Sequence, residues 1–171
     1  MLVNGRPASV VSALDRGLAY GDGVFETVRL LQGRPLFLPA HLRRLTTGAG
    51  RLGIDVADLP YLIERDIAHL SGGLSGDHII KVILTRGEGE RGYQVPRVQR
   101  PTRIVSLADY HGSAAATIAG IRLFGCQTRL GRNPRLAGIK HLNRLEQVLA
   151  SMEVPAGWDE GLMRDVEGDV I

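Results

Sequence analysis

The spacing of apolar residues changes twice between Val24 and Leu84, and few architectures accept the resulting order of elements. Val24-Phe25-Glu26-Thr27-Val28-Arg29-Leu30 alternates in polarity with period two over much of its length, as a half-buried strand does. Gln32-Gly33 turns it into a second predicted strand over 35–38. From about 39 to 52, Leu42, Leu45 and Leu52 form a helical stripe that Gly48 and Gly50 weaken, with Pro39 in the first turn. A second helix is predicted from about 58 to 70, with Asp58 as its N-cap, Pro60 in the first turn and Ser71-Gly72-Gly73 closing it. Strand character returns over 79–85 and 104–107, and Asn4-Gly5 predicts a tight type I′ hairpin at the start. Strands, two helices, then strands predict an α+β unit with both helices against one sheet face.

The small, polar stretch Tyr110-His111-Gly112-Ser113-Ala114-Ala115-Ala116 divides the chain into a domain at 1–110, a linker at 111–118 and the start of a second domain at 119–171. That second part carries a predicted strand over 121–124, a polar loop over 129–138, and a helix from about 141 to 152 with Leu142, Leu145 and Leu149 on one face. It ends in Glu160-Gly161-Leu162-Met163-Arg164, a turn near Glu167-Gly168, and Asp169-Val170-Ile171. These elements are too few to close a core, and the last reads as half of a hairpin, so the expectation is a piece of a longer protein.

Composition excludes several roles. At 44% apolar and 23% charged residues the chain belongs with globular proteins. Only 5% are aromatic, which argues against stacking on single-stranded nucleic acid, and the net charge of +3 comes without any charged run. No apolar stretch approaches membrane-spanning length and no signal-peptide core is present, so neither nucleic acid nor membrane is an expected partner. The single cysteine, Cys126, fits a reducing, cytoplasmic compartment, and the five histidines show no ligand spacing, so no metal is expected.

The positive charge comes from nineteen Arg and two Lys, Lys81 and Lys140. A lysine kept against such a bias can mark a position that needs an amine able to deprotonate, which guanidinium does not offer. Lys81, in a strand-like run, reads as a snorkelling side chain. Lys140 stands where a polar loop meets the predicted helix. Burial and neighbouring arginines would lower its pKa toward the nucleophilic range, although a plain surface lysine is the commoner occupant of such a place. In His41-Leu42-Arg43-Arg44-Leu45 the two leucines face the core and the arginines fall on different sides. One of them could therefore meet a phosphate, although from position alone an ordinary basic helix surface is the preferred reading. Arg86-Gly87-Glu88-Gly89-Glu90-Arg91-Gly92-Tyr93 has neither the Walker nor the dinucleotide spacing; it reads as a substrate-facing loop or a mobile hairpin.

Together, Asp15-Arg16-Gly17-Leu18-Ala19-Tyr20-Gly21-Asp22-Gly23-Val24-Phe25-Glu26, His41-x-x-Arg44-Leu45 and Lys140 resemble the fold-type IV pyridoxal-phosphate enzymes, which include branched-chain and D-amino-acid aminotransferases. The runs Arg86–Tyr93 and Arg129–Leu149 are most similar to the 4-amino-4-deoxychorismate lyases of that group. The resemblance implies a two-domain fold with the small N-terminal domain complete and the larger one partly present. It implies that Lys140 carries pyridoxal 5'-phosphate and serves as acid and base, and that Arg44 binds the cofactor phosphate. Arg91 and Tyr93 would lie near the substrate, Asn143 and Arg144 would help shape the pocket, and the protein would be a homodimer. The implied reaction is elimination and aromatisation to 4-aminobenzoate and pyruvate in folate synthesis. An aminotransferase on the same scaffold and an inactive or purely binding paralogue are the alternatives. Family members continue past Ile171, where a glutamate pairs with the pyridine nitrogen, so the resemblance implies that the full protein is active and that these 171 residues alone are not.

Overall fold

The computed structural model describes residues 1–110, 112 and 120–171. The chain divides into two compact units, one of Met1–Tyr110 with Gly138–Asn143, the other of the described residues up to Ala137 with Arg144–Ile171. The expected linker lies outside the described residues except for Gly112. Where the sequence suggests a single unit for 119–171, Gly138–Asn143 belongs instead with the first, because it hydrogen-bonds to a strand there.

The first unit is a six-stranded antiparallel sheet in the order β2-β1-β6-β5-β3-β4. Its strands are β1 (Leu2–Val3), β2 (Arg6–Pro7), β3 (Gly23–Leu31), β4 (Arg34–Pro35), β5 (Asp77–Thr85) and β6 (Thr102–Asp109). Period-two alternation on β3 buries Val24, Glu26, Val28 and Leu30 while Thr27 and Arg29 stay exposed. Helices α2 (Leu38–Arg51) and α3 (Leu59–Ser71) cover that buried face. Leu42, Leu45, Ala49, Ile63 and Ile67 meet Val24, Val28, Ile80, Val82, Leu84 and Val105 in one core.

Three local expectations change. The strand expected over 35–38 shrinks to β4, because Phe37 takes φ 54° and turns the chain into α2. Asp58 does precede α3, but at φ 56° and without a side-chain cap bond. A short helix absent from the sequence reading, α1 (Arg16–Tyr20), is capped by Asp15, whose carboxylate accepts from Gly17 N at 2.7 Å.

In the second unit β7 (Leu123–Leu130) pairs in parallel with β8 (Glu160–Asp165), and α4 (Leu145–Glu153) connects them. The strand expected over 121–124 is therefore later and longer. The helix expected from 141 starts four residues further on and buries Ala150, while Leu145 and Leu149 are exposed. Glu153 accepts from Gln127 N and Thr128 N, and Arg132 pairs with Asp165, Glu167 and Asp169 around the turn at Gly168. The last residues fold back as the sequence suggests, with Arg164 bridged to Val170.

Candidate active site

Strand β3 is paired with β5 along its whole length, but β4 covers its other edge only at Leu30 and Leu31. The opposite end of that edge is taken by the segment carrying Lys140. Phe25 N donates to Lys140 O at 2.9 Å, Leu142 N donates to Gly23 O at 3.0 Å, and Val24 bridges His141. Lys140 thus lies in extended backbone added to a sheet edge, and not at a helix start as the sequence predicts. Main-chain pairing with β3 satisfies donors and acceptors that a helix would otherwise use.

Two glycines make this docking possible. A Cβ on Gly23 would fall 2.4 Å from Leu84 O and 2.7 Å from Leu142 Cδ1. One on Gly48, in mid-α2, would crowd Ile139 Cγ2 at 3.2 Å, so the glycine that weakens the helix makes room for the buried Ile139. Gly23→Ala is expected to cost about 1–3 kcal/mol, the range for overpacking, and to loosen the Lys140 segment. A lowered urea midpoint with faster amide exchange over 139–142 would show it.

Pairing alternates side chains between faces, so Ile139 points to the core and Lys140 to the opposite face. There its Nζ sits 4.8 Å from the centroid of the Phe25 ring. Lys81, on β5 opposite Thr27, places its Nζ 5.6 Å from the same ring. Both lysines of the chain therefore meet one aromatic ring, a convergence the snorkelling reading of Lys81 misses.

The next residue of β3 holds the second candidate. Glu26 is buried at 1% exposure, and Arg44 Nε and Nη2 donate to its two carboxylate oxygens at 2.5 and 2.6 Å. His41 Nδ1 lies 2.8 Å from Glu26 Oε2. This bidentate grip uses one edge of the guanidinium, and Nη1 has no hydrogen bond among the described residues. Glu26 was legible in principle, since a carboxylate at a core-facing position of an alternating strand requires a partner. Taken singly, the amine beside Phe25 has the chemistry to take an aldehyde and the half-exposed guanidinium beside Glu26 that to take a phosphate; Phe25 and Glu26 are consecutive on β3 and face opposite sides of the sheet.

The Asp15–Gly23 motif is a scaffold. Asp22 binds Arg86 through both oxygens, at 2.7 and 3.0 Å, and Arg16 Nε at 2.8 Å; both guanidiniums are buried. Thr85 Oγ1 donates to Asp15, and Asn143 Nδ2 donates to Gly21 O at 3.3 Å. Asn143 thereby anchors the far end of the Lys140 segment, whereas Arg144 falls in the other unit. Arg91 and Tyr93 stand exposed on the loop between β5 and β6, Tyr93 with its ring 5.3 Å from that of Tyr20. That loop is tied down by Arg16, unlike a mobile hairpin.

Burial alone would push the Asp22 and Glu26 carboxyls up. Hydrogen bonds and charge from Arg86 and Arg16, and from Arg44 and His41, outweigh it and hold both below their ordinary values. Each folded-state pKa lies under the unfolded one, so their stabilisation is complete above the unfolded values of about 4 and is lost as pH falls through the lower folded ones. Unfolding midpoints measured from pH 7 downward are expected to decline through that acid window.

The family model described as "Amino-transferase class IV" matches residues 23–171. An aminodeoxychorismate lyase of Vibrio harveyi is 36% identical over 159 residues, covering 89% of this chain and 56% of that protein. A putative branched-chain-amino-acid aminotransferase of Methanocaldococcus jannaschii is 32% identical over 169 residues, covering 94% and 56%. The crystal structure of 4-amino-4-deoxychorismate lyase from Pseudomonas aeruginosa superposes with a TM-score of 0.91 at 47% identity, covering 99% of this chain and 63% of that one. The chain spans little more than half the length of these curated relatives.

Proposed function

The chain belongs to the amino-transferase class IV family, and we propose that it supplies the cofactor-holding residues of a pyridoxal-phosphate-dependent lyase. The reaction is conversion of 4-amino-4-deoxychorismate to 4-aminobenzoate and pyruvate, in folate synthesis. The observation that carries this reading is the pairing of the Lys140 segment with the edge of β3, which sets its amine against the Phe25 ring. Identity to the V. harveyi and P. aeruginosa lyases, higher than to the M. jannaschii aminotransferase, supports the lyase branch.

In this reading Lys140 Nζ would hold the cofactor aldehyde, and Arg44 its phosphate. When bound, the cofactor supplies an electron sink for the amine-bearing ring carbon of the substrate. Lys140 Nζ would take the proton from that carbon. The C–O bond to the enolpyruvyl group breaks, the ring becomes aromatic, and enolpyruvate takes a proton to become pyruvate. The two products together contain every atom of the substrate. Aromatisation drives the step, so the protein's main task is one base held in place. Lys81 offers a cation for a substrate carboxylate, and Arg91 and Tyr93 offer further contacts from their loop. A cytoplasmic homodimer is the setting this reading expects.

The full chain, given cofactor and 4-amino-4-deoxychorismate, should release 4-aminobenzoate and pyruvate in equal amounts. A keto acid with accumulation of pyridoxamine phosphate would favour the second reading, an aminotransferase, for which the 32% identity to the M. jannaschii protein speaks.

Glu26 is expected to act through Arg44. Glu26→Gln removes the charge that fixes the guanidinium and should weaken binding of pyridoxal phosphate about tenfold while leaving pyridoxal, which lacks the phosphate, unaffected. Absorbance titrations with the two compounds check this; equal loss for both would mean a general structural defect.

A further inference from the structure

Arg16 is buried at 4% exposure, yet most of its hydrogen bonds go to a loop distant in sequence. Nε donates to Asp22, Nη1 donates to Gly92 O and Gln94 O at 3.1 and 3.2 Å, and Nη2 donates to Tyr93 O at 3.3 Å. Its backbone N donates to Gly87 O at 2.9 Å, so the same residue also holds the start of that loop. The Tyr20 hydroxyl accepts from Gly92 N at 3.2 Å, and its ring lies 5.0 Å from the Arg16 guanidinium carbon. Gly89 passes so close that a Cβ there would fall 2.7 Å from Arg16 Cδ.

Neutralising Asp22 does not require this arrangement, because Arg86 already engages both of its oxygens. The second arginine instead directs its two terminal nitrogens at three successive carbonyls. Only a planar guanidinium presents donors diverging in this way; an ammonium could keep the Asp22 pair but not the whole set.

We infer that Arg16 is a positioning residue that, through the carbonyls of Gly92, Tyr93 and Gln94, fixes where Arg91 and Tyr93 present their side chains and so sets affinity for the substrate without touching it. The inference rests on the lyase reading above and on Arg91 and Tyr93 as substrate contacts. Holding the loop in place before binding removes an ordering cost that substrate would otherwise bear.

The test uses Arg16→Lys and Tyr20→Phe in the full chain loaded with pyridoxal phosphate, with hydrogen exchange over 88–98, steady-state kinetics and thermal midpoints measured together. Arg16→Lys should speed exchange of the loop and raise KM for 4-amino-4-deoxychorismate about tenfold, with kcat within about twofold of the parent. Tyr20→Phe leaves the Asp22 pair intact and should shift both readouts the same way by less, which guards against a folding defect in the first variant. Faster exchange with unchanged KM overturns the positioning role, as does a fall in kcat alone, and unchanged exchange overturns the clamp itself. A parent protein without lyase turnover overturns the function proposed above instead, and exchange then still decides whether Arg16 holds the loop.

Discussion

Replacing Lys140 with alanine is expected to lower lyase turnover by at least about four orders of magnitude, the scale on which loss of a covalent base registers, while leaving the fold intact. The fold should survive because the residue is tied to β3 through its backbone carbonyl, which alanine retains, and because the neighbouring Ile139 keeps its burial. Lys81→Ala is the informative comparison. Its amine meets the same Phe25 ring but from an exposed strand position, so its loss should raise KM far more than it lowers kcat. If Lys81→Ala were the inactive variant and Lys140→Ala retained turnover, the roles assigned to the two lysines would be exchanged.

Asp22→Ala should be the most destabilising single change in the first unit. It would strand two buried guanidiniums, at 5% and 4% side-chain exposure, which is expected to cost about 3–5 kcal/mol. Against a typical domain stability of about 5–15 kcal/mol, that is enough to leave the unit marginal. The exposed pair Arg29–Asp77 supplies the contrast, since solvent screens it and Asp77→Ala should change the midpoint little. Urea unfolding of the two variants checks the difference; equal effects would mean that the Asp22 network is solvated and weak.

The sheet and the two long helices were legible because their apolar spacing is set by burial on one face, and the same alternation marks Glu26 as a buried carboxylate that needs partners. Position alone could not reveal the setting of Lys140. Leu142, Leu145 and Leu149 carry a helical spacing, but Leu142 N is committed to Gly23 O, and a pairing across more than a hundred residues leaves no local trace. The network of Asp22 with Arg16 and Arg86 escaped for the same reason. Its members read as separate charges until the fold places them around one carboxylate. The resemblance to fold-type IV enzymes points to Lys140 and Arg44; the structure sets the one against Phe25 and the other against Glu26.

Lys140, and not Lys81, is the amine expected to take the cofactor. Within these 171 residues the lysine side chains are Lys81 and Lys140, so reduction of the protein with borohydride in the presence of pyridoxal phosphate, followed by intact mass and peptide mapping, tells them apart. One phosphopyridoxyl group per chain, on the peptide containing Lys140, is the predicted outcome. An adduct on Lys81, or none at all, would contradict it.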